Sequence, residues 1–202
     1  LTDVGQKRSM NQDSVYACTK SIGSLENLFI VADGMGGHQA GDFASNFVVE
    51  NLVRFFEMPY PERDVHGILK EGIRKVNRDL YECTSRDPKL NGAGSTLVLA
   101  TIKGSVLYVA NIGDSRLYLL REALEQITKD HSYVEELVAM GKLKRGSRDY
   151  LEKKNIITRA VGVSAQVDTD LFALKLKSGD QILMCSDGLS NMVDELEIEY
   201  II

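Results

Sequence analysis

Leu28-Phe29-Ile30-Val31-Ala32-Asp33-Gly34-Met35-Gly36-Gly37-His38 decides how this chain is read. The apolar run 28–32 has the length and content of a buried strand. The glycines behind it mark a tight, backbone-rich turn, and helical spacing begins just beyond. A carboxylate at the exit of a buried strand, beside backbone carbonyls, is a good ligand set for a hard cation. The arrangement returns twice. Asn111-Ile112-Gly113-Asp114-Ser115-Arg116 joins two apolar runs, and Ser186-Asp187-Gly188-Leu189 follows Gln181-Ile182-Leu183-Met184-Cys185. Three acids, each at a strand end beside glycine, point to carboxylates converging on one metal cluster.

The 202 residues suit one domain with a sizeable core. A net charge of −5 argues against a nucleic-acid surface. No apolar run is long enough to span a membrane, and no signal peptide is visible. Cys18, Cys83 and Cys185 fit neither a disulfide framework nor a zinc pattern. The reading is of buried or incidental thiols in a cytoplasmic protein. Leu1 in place of an initiator methionine, and an ending at Ile201-Ile202 inside a helical pattern, suggest part of a longer chain.

The pattern predicts strands over 14–17 and 28–32, then an amphipathic helix over 39–57 that Pro59 and Pro61 end. A second helix is expected from Asp64, a suitable N-cap, to about Thr84. Strands follow at 96–102, 106–112 and 116–120. Lys103-Gly104-Ser105 has hairpin chemistry. Gly113-Asp114-Ser115 reads as a second tight connection between neighbouring, hence antiparallel, strands. A short helix is expected over 130–141, a basic irregular stretch over 141–154, strands at 155–161, 171–176 and 181–185, and a helix from Asp194. Strand 96–102 is apolar on both faces and needs cover on both sides. Two stacked sheets with helices outside would supply it.

Buried carboxylates are costly unless cations neutralise them. Two divalent ions about 3.5–4 Å apart can share one carboxylate, acidify a water and clamp a phosphoryl oxygen. Asp33 is the best bridge, with the Gly34 carbonyl beside it; Asp187 and Asp114 complete the set. The alternative for each is a helix cap or Asx turn. Arg8 offers a fork-shaped donor to phosphate, and Asp13 could hold metal-bound waters; the alternative is a solvated polar arm. His38 and His131 could act as acid or base, or be surface or hydrogen-bonded histidines. Gly94-Ser95-Thr96 and Ser115-Arg116 look like strand-edge hydrogen bonding rather than nucleophiles. The basic stretch is a solvated loop or meets an acidic phosphopeptide. A Walker loop is excluded, because no Gly-rich segment ends in Gly-Lys-Ser/Thr. A cysteine phosphatase would need an Arg a fixed short step after its Cys, where this chain has Ser24, Lys89 and Asn191.

The motifs Asp3-Val4-Gly5-Gln6-Lys7-Arg8 with Asn11-Gln12-Asp13, then Val31 to His38, Gly94-Ser95-Thr96, Gly113-Asp114-Ser115-Arg116, Asp130-His131-Ser132 and Ser186-Asp187-Gly188-Leu189 come in order. Together they resemble the metal-dependent protein phosphatase family (type 2C) in its compact bacterial form, over essentially the whole chain. The resemblance implies an α+β fold, a four-layer αββα sandwich of two antiparallel β-sheets flanked by helices. It implies hydrolysis of phosphoserine and phosphothreonine with Mn²⁺ or Mg²⁺, attack by a metal-bridging hydroxide, and a serine/threonine protein kinase as the opposing activity. Asp33 would bridge two ions, the Gly34 carbonyl would bind one and Asp187 the other. Asp13 would act through metal-bound water, and Arg8 would hold the phosphate. Asp114, with Asp187, would hold a third, weaker ion. The basic stretch would match the family's variable flap, which bears on substrate choice, and Ser164 near it is a candidate contact to the third ion. Met35 stands where many eukaryotic relatives have a His proposed as general acid, which leaves water at the metals or His38 for that role. The family's closing Asp-Asn-Ile/Val-Thr motif is not reached before Ile202. The expectation is therefore a single catalytic domain over 1–202 lacking its last metal ligand and last strands, acting on phosphorylated proteins, a monomer, with no nucleic acid or membrane partner. A phosphatase-like binding module and a metal phosphodiesterase remain the alternatives.

Overall fold

The structure is a computed structural model that describes residues 1–6, 9–37, 40–59 and 64–202. Strand β1 (Asp13–Cys18) lies antiparallel to β2 (Leu28–Met35). Two helices follow, α1 (Ala40–Glu57) and α2 (Val65–Arg86), the second capped by the Asp64 side chain accepting from the Gly67 N–H at 2.6 Å. Next come β3 (Gly94–Ser95), β4 (Leu97–Lys103), β5 (Val106–Ile112), β6 (Arg116–Leu120) and β7 (Leu124–Gln126). The chain continues through α3 (Tyr133–Ala139), α4 (Arg148–Lys153), β8 (Asp170–Lys175), β9 (Gln181–Cys185), α5 (Asp187–Ser190) and α6 (Glu195–Ile201). One sheet runs β1-β2-β4-β5-β8, with β3 paired to the end of β2; the other runs β7-β6-β9. Every pairing among the described residues is antiparallel.

Strand β4 shows why the sheets stack. Leu97 and Leu99 point to one face and pack with α1 and α2 residues such as Leu52, Phe56, Leu69 and Leu80. Val98 and Ala100 point to the other and pack with Leu107, Val109 and Leu117, with Phe172, Leu174, Ile182 and Met184 around them. Each buried Val or Leu contributes about 1.5–3 kcal/mol, so a strand apolar on both faces is stable only between two layers. The alternation Phe172, Leu174, Leu176 turns to the inter-sheet core as its period requires. On the outer side of the small sheet, α6 lies over β7: the Leu124 N–H donates to Glu199 at 2.9 Å, and Ile198 is buried.

Four expectations need correction. Strands 106–112 and 116–120 are not partners, because β5 pairs with β4 and β8 while β6 pairs with β7 and β9. Gly113-Asp114-Ser115 is the step from one sheet to the other. Gly113 takes φ +98°, and a Cβ there would lie 2.8 Å from the Thr96 side chain. Residues 155–161 form no strand. Their backbone bonds go to two different neighbours, Thr158 N–H to His131 and Val161 to Ser95, so the segment crosses between elements rather than running along one. The basic stretch contains a helix, α4, capped by Ser147, and Arg145 and Arg148 are paired with Glu135 and Glu152. Helix α3 begins only at Tyr133, with Ser132 as its N-cap.

Candidate active site

Strand pairing itself creates the site. Asp13 of β1 sits directly opposite Asp33 of β2. Like charges facing each other across an antiparallel pair are destabilising. Asp187, in the first turn of α5 beyond β9, is within hydrogen-bonding reach of Asp33, and Asp114 adds its charge from the step between the sheets. All four line one cavity of about 500 Å³, together with Gly34, Met35, Gly36, Asn11, Gln12, Thr96, Asn155 and Ile157. Among the described residues, no Lys or Arg forms an ion pair with any of the four.

The cost shows in the ionisation of the cluster. Burial, then the charges of Asp13 and Asp187, the hydrogen bond with Asp187 and the charge of Asp114 push the Asp33 carboxyl up to about 8. Burial, then Asp187 and Asp130, push Asp114 up to about 7 against the pull of its own backbone amide and Arg116. Half-buried carboxylates that repel one another suit positive charge between them.

Each acid is held from behind. The Asp33 N–H donates to Thr96 Oγ1 at 2.9 Å, while the Thr96 N–H donates back to the Asp33 carbonyl at 2.8 Å. Thr96 Oγ1 is also 2.7 Å from Ser115 Oγ, so one hydroxyl ties the backbone of Asp33 to the residue after Asp114. The Gly34 N–H donates to the Gln12 carbonyl at 2.9 Å, and a Cβ on Gly34 would sit 1.9 Å from the Gly41 carbonyl oxygen of α1. Only glycine admits that approach. Ser186 Oγ donates to Asp13 at 2.7 Å, and Asn191 Nδ2 to Asp187 at 2.9 Å. Ser186 and Asn191 are functional neighbours that sequence reading missed. Asn191 carried a signal, standing one helical turn after Asp187.

Among the described residues no three His, Cys, Asp or Glu side chains gather closely enough to hold one ion by themselves. A hard cation such as Mg²⁺ keeps several of its waters and needs only one or two carboxylates. An all-oxygen set of separated acids and a backbone carbonyl around a roomy cavity fits that kind of ion. Arg8 and His38 lie outside the described residues. His131 is buried away from the cavity, where it hydrogen-bonds Gly113. Ser164 is not among the cavity residues; its hydroxyl donates to the Gln166 carbonyl at 2.6 Å. A smaller cavity of about 140 Å³ joins Asp114 and Asp187 to Arg116, Asp130 and the α4 residues Tyr150 and Leu151, so α4 borders the site.

A family model described as protein phosphatase 2C matches residues 5–200. The serine/threonine phosphatase stp of Listeria monocytogenes is 39% identical over 210 residues, spanning all of this chain and 81% of that protein. The crystal structure of the serine/threonine phosphatase Stp1 from Staphylococcus aureus superposes with a TM-score of 0.89 at 33% identity, over 99% of this chain and 79% of that one. The catalytic domain of the serine/threonine protein phosphatase PstP, solved in complex with two manganese ions, gives a TM-score of 0.84 at 36% identity, over 99% of this chain and 81% of that one.

Proposed function

This chain belongs to the protein phosphatase 2C family, and from that premise we propose that it hydrolyses phosphoserine and phosphothreonine esters in proteins, with Mn²⁺ or Mg²⁺ at the carboxylate cavity. The observation that carries the proposal is the gathering of Asp13, Asp33, Asp114 and Asp187 in one cavity with no described cation paired to them. Bound there, two divalent ions would supply an ionised water as nucleophile and neutralise charge on the phosphoryl oxygens.

The chain's own residues do the positioning. Asp33 would face both ions, with its backbone fixed in both directions by Thr96. The Gly34 carbonyl would serve one ion and Asp187 the other. Asn191 occupies one Asp187 oxygen and leaves the second for the site. Asp13, oriented by Ser186, would hold waters in the cavity by accepting their hydrogen bonds. Asp114, beside Asp187, would hold a third and weaker ion. Arg8 would supply the donor fork for phosphate. The substrates are phosphorylated proteins, so a serine/threonine protein kinase is the reaction that supplies them.

The test uses metal-stripped protein with a phosphothreonine peptide, a simple aryl phosphate monoester and a bis-aryl phosphate diester. Phosphate release from the peptide and monoester, started by Mn²⁺ and stopped by chelator, is the expected result. Preference for the diester would make the protein a phosphodiesterase. Mn²⁺ binding without turnover of any ester would make it a binding module.

A further inference from the structure

The backbone of Gly113 is gripped twice by one residue. Its N–H donates to Nδ1 of His131 at 3.1 Å, and its carbonyl accepts from the His131 N–H at 2.9 Å. His131 is only 6% exposed and faces away from the cavity. Because Nδ1 accepts, its lone pair is free of hydrogen, and the neutral ring carries its proton on Nε2. Nε2 lies 3.2 Å from Oδ2 of Asp170, so it has an acceptor to meet. Arg159 holds the other oxygen of Asp170 at 3.1 Å and reaches to 3.3 Å from Nε2. The chain from Arg159 through Asp170 and the ring to Gly113 is continuous.

Gly113 is a demanding place to apply that grip. Its φ of +98° and its approach to Thr96 make it the pivot where the chain leaves one sheet for the other. Asp114 is the next residue, and its carboxyl enters the cavity according to how the Gly113 peptide is turned. Thr96 fixes the far side of the turn through Ser115. Nearby, Asn111 Nδ2 donates to the Lys129 carbonyl at 2.9 Å, so the segment carrying His131 is sewn along the end of β5. Without an acceptor at Nδ1, the buried Gly113 N–H would have no partner, and the turn would rotate to find one.

We infer that His131 is a positioning residue which, by accepting the Gly113 N–H, sets the direction in which Asp114 enters the metal cavity. The inference rests on the reading of Asp114 as a cation ligand. Groups that orient a ligand in this way change metal affinity by about 10–100-fold when removed.

The experiment titrates Mn²⁺ into metal-stripped protein by calorimetry, for the parent chain and for Asp114→Asn, His131→Asn and His131→Gln. Asn can place its Oδ1 where Nδ1 stands and keep the Gly113 bond; Gln reaches toward Asp170 and cannot. Asp114→Asn and His131→Gln should weaken the same, weakest binding step by about tenfold or more, while His131→Asn stays near the parent. If Asp114→Asn weakens that step and His131→Gln does not, the positioning role is wrong while the ligand assignment stands. If Asp114→Asn leaves Mn²⁺ binding unchanged, the ligand assignment fails and the positioning role with it. Equal loss in both His131 variants would mean that ring volume, not the acceptor, matters, and would also overturn the inference. Nitrogen NMR of the parent protein gives an answer independent of any variant's folding. It should show Nε2 protonated and Nδ1 bare; the opposite tautomer contradicts the geometry.

Discussion

Replacing Asp33 by Asn should make the metal-free protein more stable while abolishing its activity, and the gain should grow with pH. The folded Asp33 carboxyl is raised to about 8 from its ordinary 3.8, with burial the first cause. Between those values the native state binds a proton that the unfolded chain does not. Stability of the metal-free fold therefore falls as pH rises through that window. At about 1.4 kcal/mol per unit, the full gap corresponds to about 5 kcal/mol near pH 8 and about 2 kcal/mol at pH 5. Relaxation of the site and entry of water would roughly halve both figures, to about 1 kcal/mol at pH 5 and about 2–3 kcal/mol at pH 8. For a chain of this size that raises the melting temperature by about 5–10 °C. Asn keeps the shape, carries no charge and can donate to Asp187 as a protonated Asp33 would. The assay is thermal melting of both proteins in chelator at pH 5 and pH 8. An Asn variant that melts at or below the parent at pH 8, or whose advantage does not change with pH, would refute the electrostatic reasoning.

Removing the Thr96 hydroxyl with Thr96→Val should cost about 1–3 kcal/mol, because the buried Asp33 N–H loses its acceptor; denaturant melts measure it, and Mn²⁺ affinity should fall in parallel. Asp64→Ala removes the cap of α2 and should cost about 1 kcal/mol with turnover unchanged, since the cap touches nothing in the cavity. Leu99→Ala, in the core between the large sheet and the helices, should cost about 2–5 kcal/mol without altering Mn²⁺ affinity at saturation of the fold.

The strands and helices that could be read from sequence are those whose burial leaves a period. Helices α1 and α2 place apolar residues every three or four positions and lie within a residue or two of their expected bounds. Strand β4 announced two covering layers because both its faces are apolar. The Gly104-Ser105 hairpin followed from turn chemistry, and Lys103 does pair with Val106. What failed was partner choice. Gly113-Asp114-Ser115 is as short as a hairpin turn, and only the three-dimensional stacking shows that it joins two sheets. Helices α4 and α5 are too short to show a period. At the site, the strand-Asp-Gly repeats brought Asp33, Asp114 and Asp187 to one cavity, and β1 placed Asp13 among them. Thr96 reads in the sequence as strand-edge hydrogen bonding and His131 admits a hydrogen-bonded reading, but their partners, and the roles of Ser186 and Asn191, stayed hidden, because a hydroxyl, an amide or an imidazole acting across the fold leaves no local pattern.

The most direct test of the central claim is phosphate release from a phosphothreonine peptide by the parent chain and by Asp33→Asn, both with saturating Mn²⁺ and both shown to be folded. Release by the parent, lost in chelator and absent from the variant, is the predicted result. Equal release by the two proteins would mean that the carboxylate cavity is not where the chemistry occurs.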